Sequence, residues 1–151
     1  MTIISKPIKK KEIKKLIPHS GNMCLIEEVL EADKQSLKAR SQTHLSENNP
    51  LRVNGQIHIV NAVEYAAQAM AIHGALLSLK DSDEVVVKQG YIVSLRNINT
   101  YIEYLPVSES DLLVAINLLM GSETGYSYEF EVKNKNNLLI SGRISIFLSE
   151  Q

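Results

Sequence analysis

The residues able to do acid–base chemistry are few and unevenly placed. The sequence holds four histidines, His19, His44, His58 and His73, and one cysteine, Cys24. One carboxylate stands apart from the other acidic residues. Glu64 lies in the run Val63-Glu64-Tyr65-Ala66-Ala67-Gln68-Ala69-Met70, among small and apolar neighbours. An imidazole titrates near pH 6.5 and accepts a proton at neutral pH. A carboxyl group withdrawn from water stays partly protonated and can hand a proton over. Aimed at adjacent atoms, the two would make a general base and a general acid. Gln68 falls one helical turn beyond Glu64 on the same face, in reach of its carboxyl or of a bound water. His44 stands where a strand pattern runs into a long loop, a place from which a rigid element can aim a side chain into a cleft. His58 sits near the start of the helix that carries Glu64, at the cleft or on the surface. His19, directly after Pro18, is expected to hold the N-terminal segment in place. His73, more than two turns past Glu64, is expected to be packed or at an interface. Spacing alone leaves two readings for Glu64: a desolvated acid, or a solvent-facing residue that the helix dipole favours in a first turn.

Other chemistries are excluded. No His-x-x-x-His or His-Glu-x-x-His spacing occurs, so neither a metal nor any cofactor is expected. A lone cysteine cannot form an intrachain disulfide or a cysteine metal cluster, and Cys24 reads as a buried thiol. The net charge of -1 provides no global field for nucleic acid or an anionic membrane. No apolar run approaches the ~18 residues of a membrane span. The N-terminus lacks a basic region followed by an apolar stretch, so the cytoplasm is the expected compartment. Lys9, Lys10, Lys11, Lys14 and Lys15 form a basic cluster around Ile13 and Leu16. It reads as a solvated helix face or as a docking surface for an acidic partner.

The 151 residues fit one domain, 1–151, with 44% hydrophobic and 22% charged residues. Residues 7–17 read as a short helix with Ile13, Leu16 and Ile17 inward, ended by Pro18. Gly21 and Asn22 mark a turn. A strand follows from Met23 through Cys24, Ile26, Val29 and Leu30, with an irregularity near Glu28. Asp33 and Lys34 turn the chain into a second strand, Ser36 to Thr43. Residues 44–57 have no period and three asparagines, a loop too long to be a mere connector. From Ile59 to Leu79 the spacing of Val63, Ala67, Met70, Gly74 and Leu77 predicts a long helix. Its alanines make it small enough for a sheet to approach closely. Lys80 to Glu84 reads as a polar exit. Strands are expected over Val85 to Ile98, Asp111 to Met120, Tyr126 to Lys133 and Leu138 to Leu148. On the last, Leu139, Ser141, Arg143, Ser145 and Phe147 share a face. The turn at 134–137 suits residues with positive φ.

One long apolar helix with strands before and after it is most economically buried by wrapping the sheet around it. The expected class is α+β, the hotdog fold. Such a sheet leaves an open edge that two copies, or two unlike subunits, can pair to form a dimer.

The octet around Glu64 resembles the helix motif of the hotdog-fold 3-hydroxyacyl-acyl carrier protein dehydratases, an acid followed four residues later by glutamine. Leu16-Ile17-Pro18-His19 and Met23-Cys24-Leu25-Ile26-Glu27-Glu28-Val29 are similar to that family's opening. A closer likeness is to the aryl-polyene-type dehydratase subunits. It rests on His44, Asn49-Pro50-Leu51-Arg52, Gly55, Glu64 to Ala71, His73-Gly74 and Gly142-Arg143. The resemblance implies removal of a proton at C2 and of hydroxide at C3 of a 3-hydroxyacyl thioester. It implies Glu64 as acid, His44 as base, and Gln68, Asn49, Arg52 and His58 as substrate-binding residues. Acyl carrier protein is the implied partner, and the acid and base of one site are implied to come from different subunits. The family's His-Phe-Pro-Gly motif is missing. Its spacing back from Glu64 lands near Asn49 and Pro50, which are not bases. Either His44 takes the role, or the chain is a non-catalytic subunit that shapes the acyl tunnel of a competent partner. A hotdog thioesterase and a simple lipid-binding module are the remaining alternatives.

Overall fold

In the computed structural model of the chain, residues 2–19, 21–81, 89–107 and 110–149 are described. Ile8–Lys9 forms a two-residue strand, β1, and helix α1 spans Lys10–Leu16. The helix is shorter than expected because Ile8 and Lys9 are taken up by the sheet, opposite Val29 and Glu28. Its inward residues are the expected Ile13 and Leu16, with Ile17 buried beyond its end. Strands β2, Glu28–Ala32, and β3, Ser36–Ser41, form an antiparallel hairpin. Asp33 makes the turn: its Oδ1 accepts the backbone N–H of Gln35 at 2.8 Å and of Ser36 at 2.7 Å.

The strand expected from Met23 starts later. Gly21–Met23 is a 3-10 turn, and Cys24, Leu25 and Ile26 reach β2 fully buried but outside the ladder. Their burial comes from packing against the helix, which alternation in a sequence cannot tell from strand pairing. The expected irregularity is a bulge between Val29 and Glu31.

The 44–57 segment is a loop, opened by a 3-10 turn at Thr43–Leu45. A further 3-10 turn, Ile59–Asn61, leads into the long helix α2, Ala62–Asp81. No residue from Ala62 to Leu79 is exposed, as befits a helix that is apolar on all sides. Tyr65, Ala66, Gln68, Ala69, Ile72 and His73 are among its most deeply buried residues. The stripe read from spacing takes another direction: Ala67, Met70 and Gly74 line a groove. Lys80 and Asp81 close the helix; the rest of the expected exit, and residues 85–88 of the next strand, lie outside the described residues.

Strands β4, Gln89–Thr100, β5, Leu112–Ser122, β6, Gly125–Asn134, and β7, Asn137–Ser149, complete the fold. The seven strands form one antiparallel sheet in the order β1-β2-β3-β5-β6-β7-β4, wrapped around α2 in the hotdog arrangement. Leu37, Val114, Ile116, Tyr128, Phe130 and Ile144 point to the helix, while Lys38, Glu129, Glu131 and Arg143 alternate with them on the outer face. Leu139 leaves the face shared by Arg143 and Phe147 and is buried. Between the pairs Lys133–Leu138 and Val132–Ile140 it is the extra residue of a bulge. Lys135 takes the expected positive φ, 57°, in the turn between β6 and β7. At the end of the sheet β4 leaves an open edge carrying exposed Tyr91, Ile92, Val93 and Leu95.

Candidate active site

A groove of about 390 Å³ runs along α2. Glu64, Ala67, Ala71, Gly74 and Ser78 form its floor, and Tyr126, Tyr128 and Ile146 form one wall. At 1.5 Å per residue, Glu64 and Ser78 are roughly 20 Å apart along the helix axis. The Glu64 end is lined by Leu16, Pro18 and His19, at and just beyond the end of α1. Pro18 cannot continue that helix, and Gly21, at φ 57°, turns the chain back.

There the carboxyl of Glu64 meets an imidazole: Oε1 lies 3.3 Å from Nε2 of His19. The two side chains are 31% and 26% exposed, so a ligand in the groove can reach them. The Nδ1 of His19 is buried and has no hydrogen-bond partner among the described residues. Gln68 fixes the geometry from behind. Its Oε1 accepts the Leu25 N–H at 2.8 Å, and its Nε2 donates to the Met23 carbonyl at 2.6 Å and, at 3.4 Å, to Glu64. Fully buried, Gln68 braces residues 23–25 against α2 and reaches the Glu64 carboxyl, the contact its spacing allowed.

His44 is elsewhere. Its ring is buried, and neither nitrogen has a hydrogen-bond partner among the described residues. Burial pulls its pKa from 6.5 to about 4; Asp111 and Glu27 oppose that and Arg52 adds to it. It is therefore neutral at pH 7. His44 lines a separate cavity of about 400 Å³ with Leu45, Glu47, Arg52, Gly55 and Val107, none of which lines the groove. Within one chain the structure brings His19 to Glu64 and leaves His44 in its own cavity; the resemblance implied that the acid and base of one site come from different subunits.

Three more expected ligand-binding residues have internal duties. Arg52 donates to the carbonyls of His44 at 2.7 Å, Gly55 at 2.8 Å and Ser46 at 3.1 Å, tying the loop together. Asn49 donates through Nδ2 to the Thr43 carbonyl at 2.9 Å and to the Tyr65 hydroxyl at 3.1 Å, and accepts the Leu51 N–H at 2.9 Å. Both shape the loop, because its backbone lacks a ladder and side chains must satisfy it. His58 is exposed and caps the turn before α2, accepting the Val60 N–H at 3.2 Å, with its ring edge-on to Tyr104. It does not line the groove.

His73 is a packed histidine, as expected. Its Nε2 lies 2.8 Å from the Asp33 carbonyl and its Nδ1 2.8 Å from the Tyr128 hydroxyl. A carbonyl only accepts, so Nε2 carries the proton and Tyr128 donates to Nδ1. Burial lowers the pKa of His73 and raises that of Tyr128. Cys24 is buried and its thiol pKa is raised by burial, partly offset by Lys10 and Lys14. Among the described residues no cluster of three His, Cys, Asp or Glu side chains could hold a metal, and no helix is long and apolar enough to cross a membrane.

Comparison with known proteins decides the family. Residues 11–151 match the ApeP-like family, whose members are ApeP dehydratases. The chain belongs to that family. A solved structure of the dehydratase heterocomplex ApeI:P from Xenorhabdus doucetiae is 21% identical, with a TM-score of 0.80 over 92% of this chain and 91% of that one. A hypothetical thioesterase from Streptococcus pneumoniae, solved with coenzyme A, is 11% identical, with a TM-score of 0.57 over 82% and 85% of the two chains. A thioesterase from Haemophilus influenzae is 12% identical, with a TM-score of 0.56 over 82% and 78%. At these identities the structures share the hotdog fold, which serves dehydratases and thioesterases alike. The dehydratase class comes from the family match. No curated protein matches the sequence.

Proposed function

We propose that the chain dehydrates a 3-hydroxyacyl thioester, carried on acyl carrier protein, to the 2-enoyl thioester. The observation that carries this reading is the Glu64–His19 pair at the end of an apolar groove long enough for an extended acyl chain. His19 takes the proton from C2, and the electrons of that C–H bond form the C2–C3 double bond. Glu64 gives a proton to the C3 hydroxyl, which leaves as water. His19 is then charged and Glu64 ionised; a proton crossing the 3.3 Å between them restores both for the next turnover. Glu64 lies in the first turn of α2. Backbone N–H groups there are suited to hold the thioester oxygen as enolate charge develops.

A second reading assigns the base to His44, acting on substrate held by Glu64 of another subunit. Two unpartnered nitrogens on a neutral ring favour it. It needs a dimer, like or unlike, formed by a second hotdog chain along the β4 edge. The related ApeI:P structure is a heterocomplex, which favours an unlike partner.

The test is water loss from a 3-hydroxyacyl-acyl carrier protein, followed by mass, with the chain alone and with a second hotdog subunit. Glu64→Gln is expected to abolish it. Loss in His19→Ala with retention in His44→Ala supports the first reading, and the reverse supports the second. Release of free acid instead of the enoyl thioester, or no water loss in either format, overturns the proposal.

A further inference from the structure

We propose that the outer face of α1 is a docking surface for the acidic carrier protein that delivers the acyl chain. The inference rests on the dehydratase reading of the groove and names the surface through which its substrate arrives. Between positions 6 and 15 the sequence places six lysines and one acid, Glu12, in a chain whose net charge is -1. The charge is therefore segregated: the rest of the molecule is net negative. Folding then sorts the segment. Ile13 and Leu16 turn into the core, leaving Lys11, Lys14 and Lys15 exposed and Lys10 half-buried. Lys9 pairs with Glu28. Lys10, Lys11, Lys14 and Lys15 form no ion pair among the described residues.

Lys10 and Lys14, and Lys11 and Lys15, are four residues apart, where like charges on a helix repel. No ion pair among the described residues relieves that repulsion. An anionic surface from outside would relieve it, and would be drawn in by the same field.

Position supplies the rest. Leu16 ends α1, and Leu16, Pro18 and His19 line the end of the groove beside Glu64. The lysines thus stand within two helical turns of the place where a tethered acyl chain meets the acid. A carrier seated on α1 can set its thioester near Glu64 while the acyl tail runs along α2 toward Ser78. The surface and the groove form one path, charged outside and apolar inside.

The experiment compares wild type with the triple variant Lys11→Glu, Lys14→Glu, Lys15→Glu, whose side chains are exposed and whose fold is checked by circular dichroism. One 3-hydroxyacyl chain is presented in three ways: on acyl carrier protein, on coenzyme A, and on N-acetylcysteamine, which has neither protein nor phosphate. The expected result is a KM for the carrier-bound substrate raised by about tenfold or more. The kcat and the N-acetylcysteamine kinetics stay unchanged, and the difference shrinks as salt is raised. An unchanged carrier KM overturns the proposal. So does an equal rise for coenzyme A, which would mean that the lysines read phosphate alone. If no substrate is dehydrated the enzymatic reading fails, and docking is judged by anisotropy of labelled acyl carrier protein. Salt-sensitive binding to wild type that the variant loses supports the surface; equal binding, or none, overturns it.

Discussion

Glu64 and Gln68 lie one turn apart on α2 and do opposite work because of what lies opposite each. Glu64 faces the groove, so its removal should damage chemistry and spare folding. Glu64→Gln is expected to lower kcat by about 10²–10⁴ with an unchanged urea midpoint. The same helix made Glu64 legible in the sequence, since a lone carboxylate among Val, Ala and Tyr residues needs a reason. His19 was not legible as its partner. Their meeting depends on the turn at Gly21 and on the buried Gln68 amide, contacts between segments far apart in the chain that no local pattern encodes. His44 was legible as special, but its cavity was not. That burial makes a prediction of its own. In the unfolded chain His44 binds a proton below about pH 6.5, and in the folded protein only near 4. The unfolded state therefore holds more protons in between. Stability is full above about 6.5 and falls as pH drops toward 4, by on the order of 3 kcal/mol from this group. His73, also lowered, acts in the same sense, so the measurement is a difference. Urea midpoints of His44→Gln should fall less than wild type between pH 6.5 and 4.

At the scale of elements, the joint between α2 and residues 23–25 rests on one amide. Gln68→Ala leaves the Leu25 N–H and the Met23 carbonyl without their partner in a buried place, at about 1–3 kcal/mol for each group left unsatisfied. A urea-melt loss of about 2–4 kcal/mol is expected, together with weakened activity as Glu64 loses its contact with the Gln68 amide. The long elements were readable because each is periodic over many residues: α2 by its small apolar run, β5 and β6 by alternation. Short or irregular ones were not. β1 has two residues and exists only because β2 is beside it. The fully buried Cys24–Ile26 stretch mimics a strand because a helix covers it. Glu28 shows a register at work. Opposite both Lys9 and Arg40, it is held ionised by the Lys9 hydrogen bond first and the Arg40 bond, at 2.7 Å, second. Its pKa is lowered, so the stability it contributes is present at neutral pH and is lost as acid protonates it below its unfolded value.

For the molecule as a whole, the open matter is the β4 edge. Natural sheets protect such edges with charge, proline or a bulge. Here the sequence Tyr91-Ile92-Val93 is exposed and apolar, although a bulge follows between Ile92 and Ser94. The outer sheet face, by contrast, carries Lys38, Glu129, Glu131 and Arg143. Pairing should therefore run edge to edge. If the chain pairs through this edge, with a second copy or with an unlike hotdog subunit, Val93→Lys is expected to weaken the pairing toward monomer in light scattering, with activity falling in step where the site is shared.

The covering of α2 also has a consequence in time. The strands β5, β6 and β7 that bury it lie C-terminal to it, ending at Ser149. At about 5–20 residues per second, a ribosome takes roughly 3–14 seconds to carry synthesis from the end of the helix to Ser149. Throughout that interval a twenty-residue helix, with no exposed residue from Ala62 to Leu79 once folded, has only its three preceding strands and α1 to shelter it. The nascent chain is thus at its stickiest in mid-synthesis, and folding yield in the cell should depend on chaperones that hold it there.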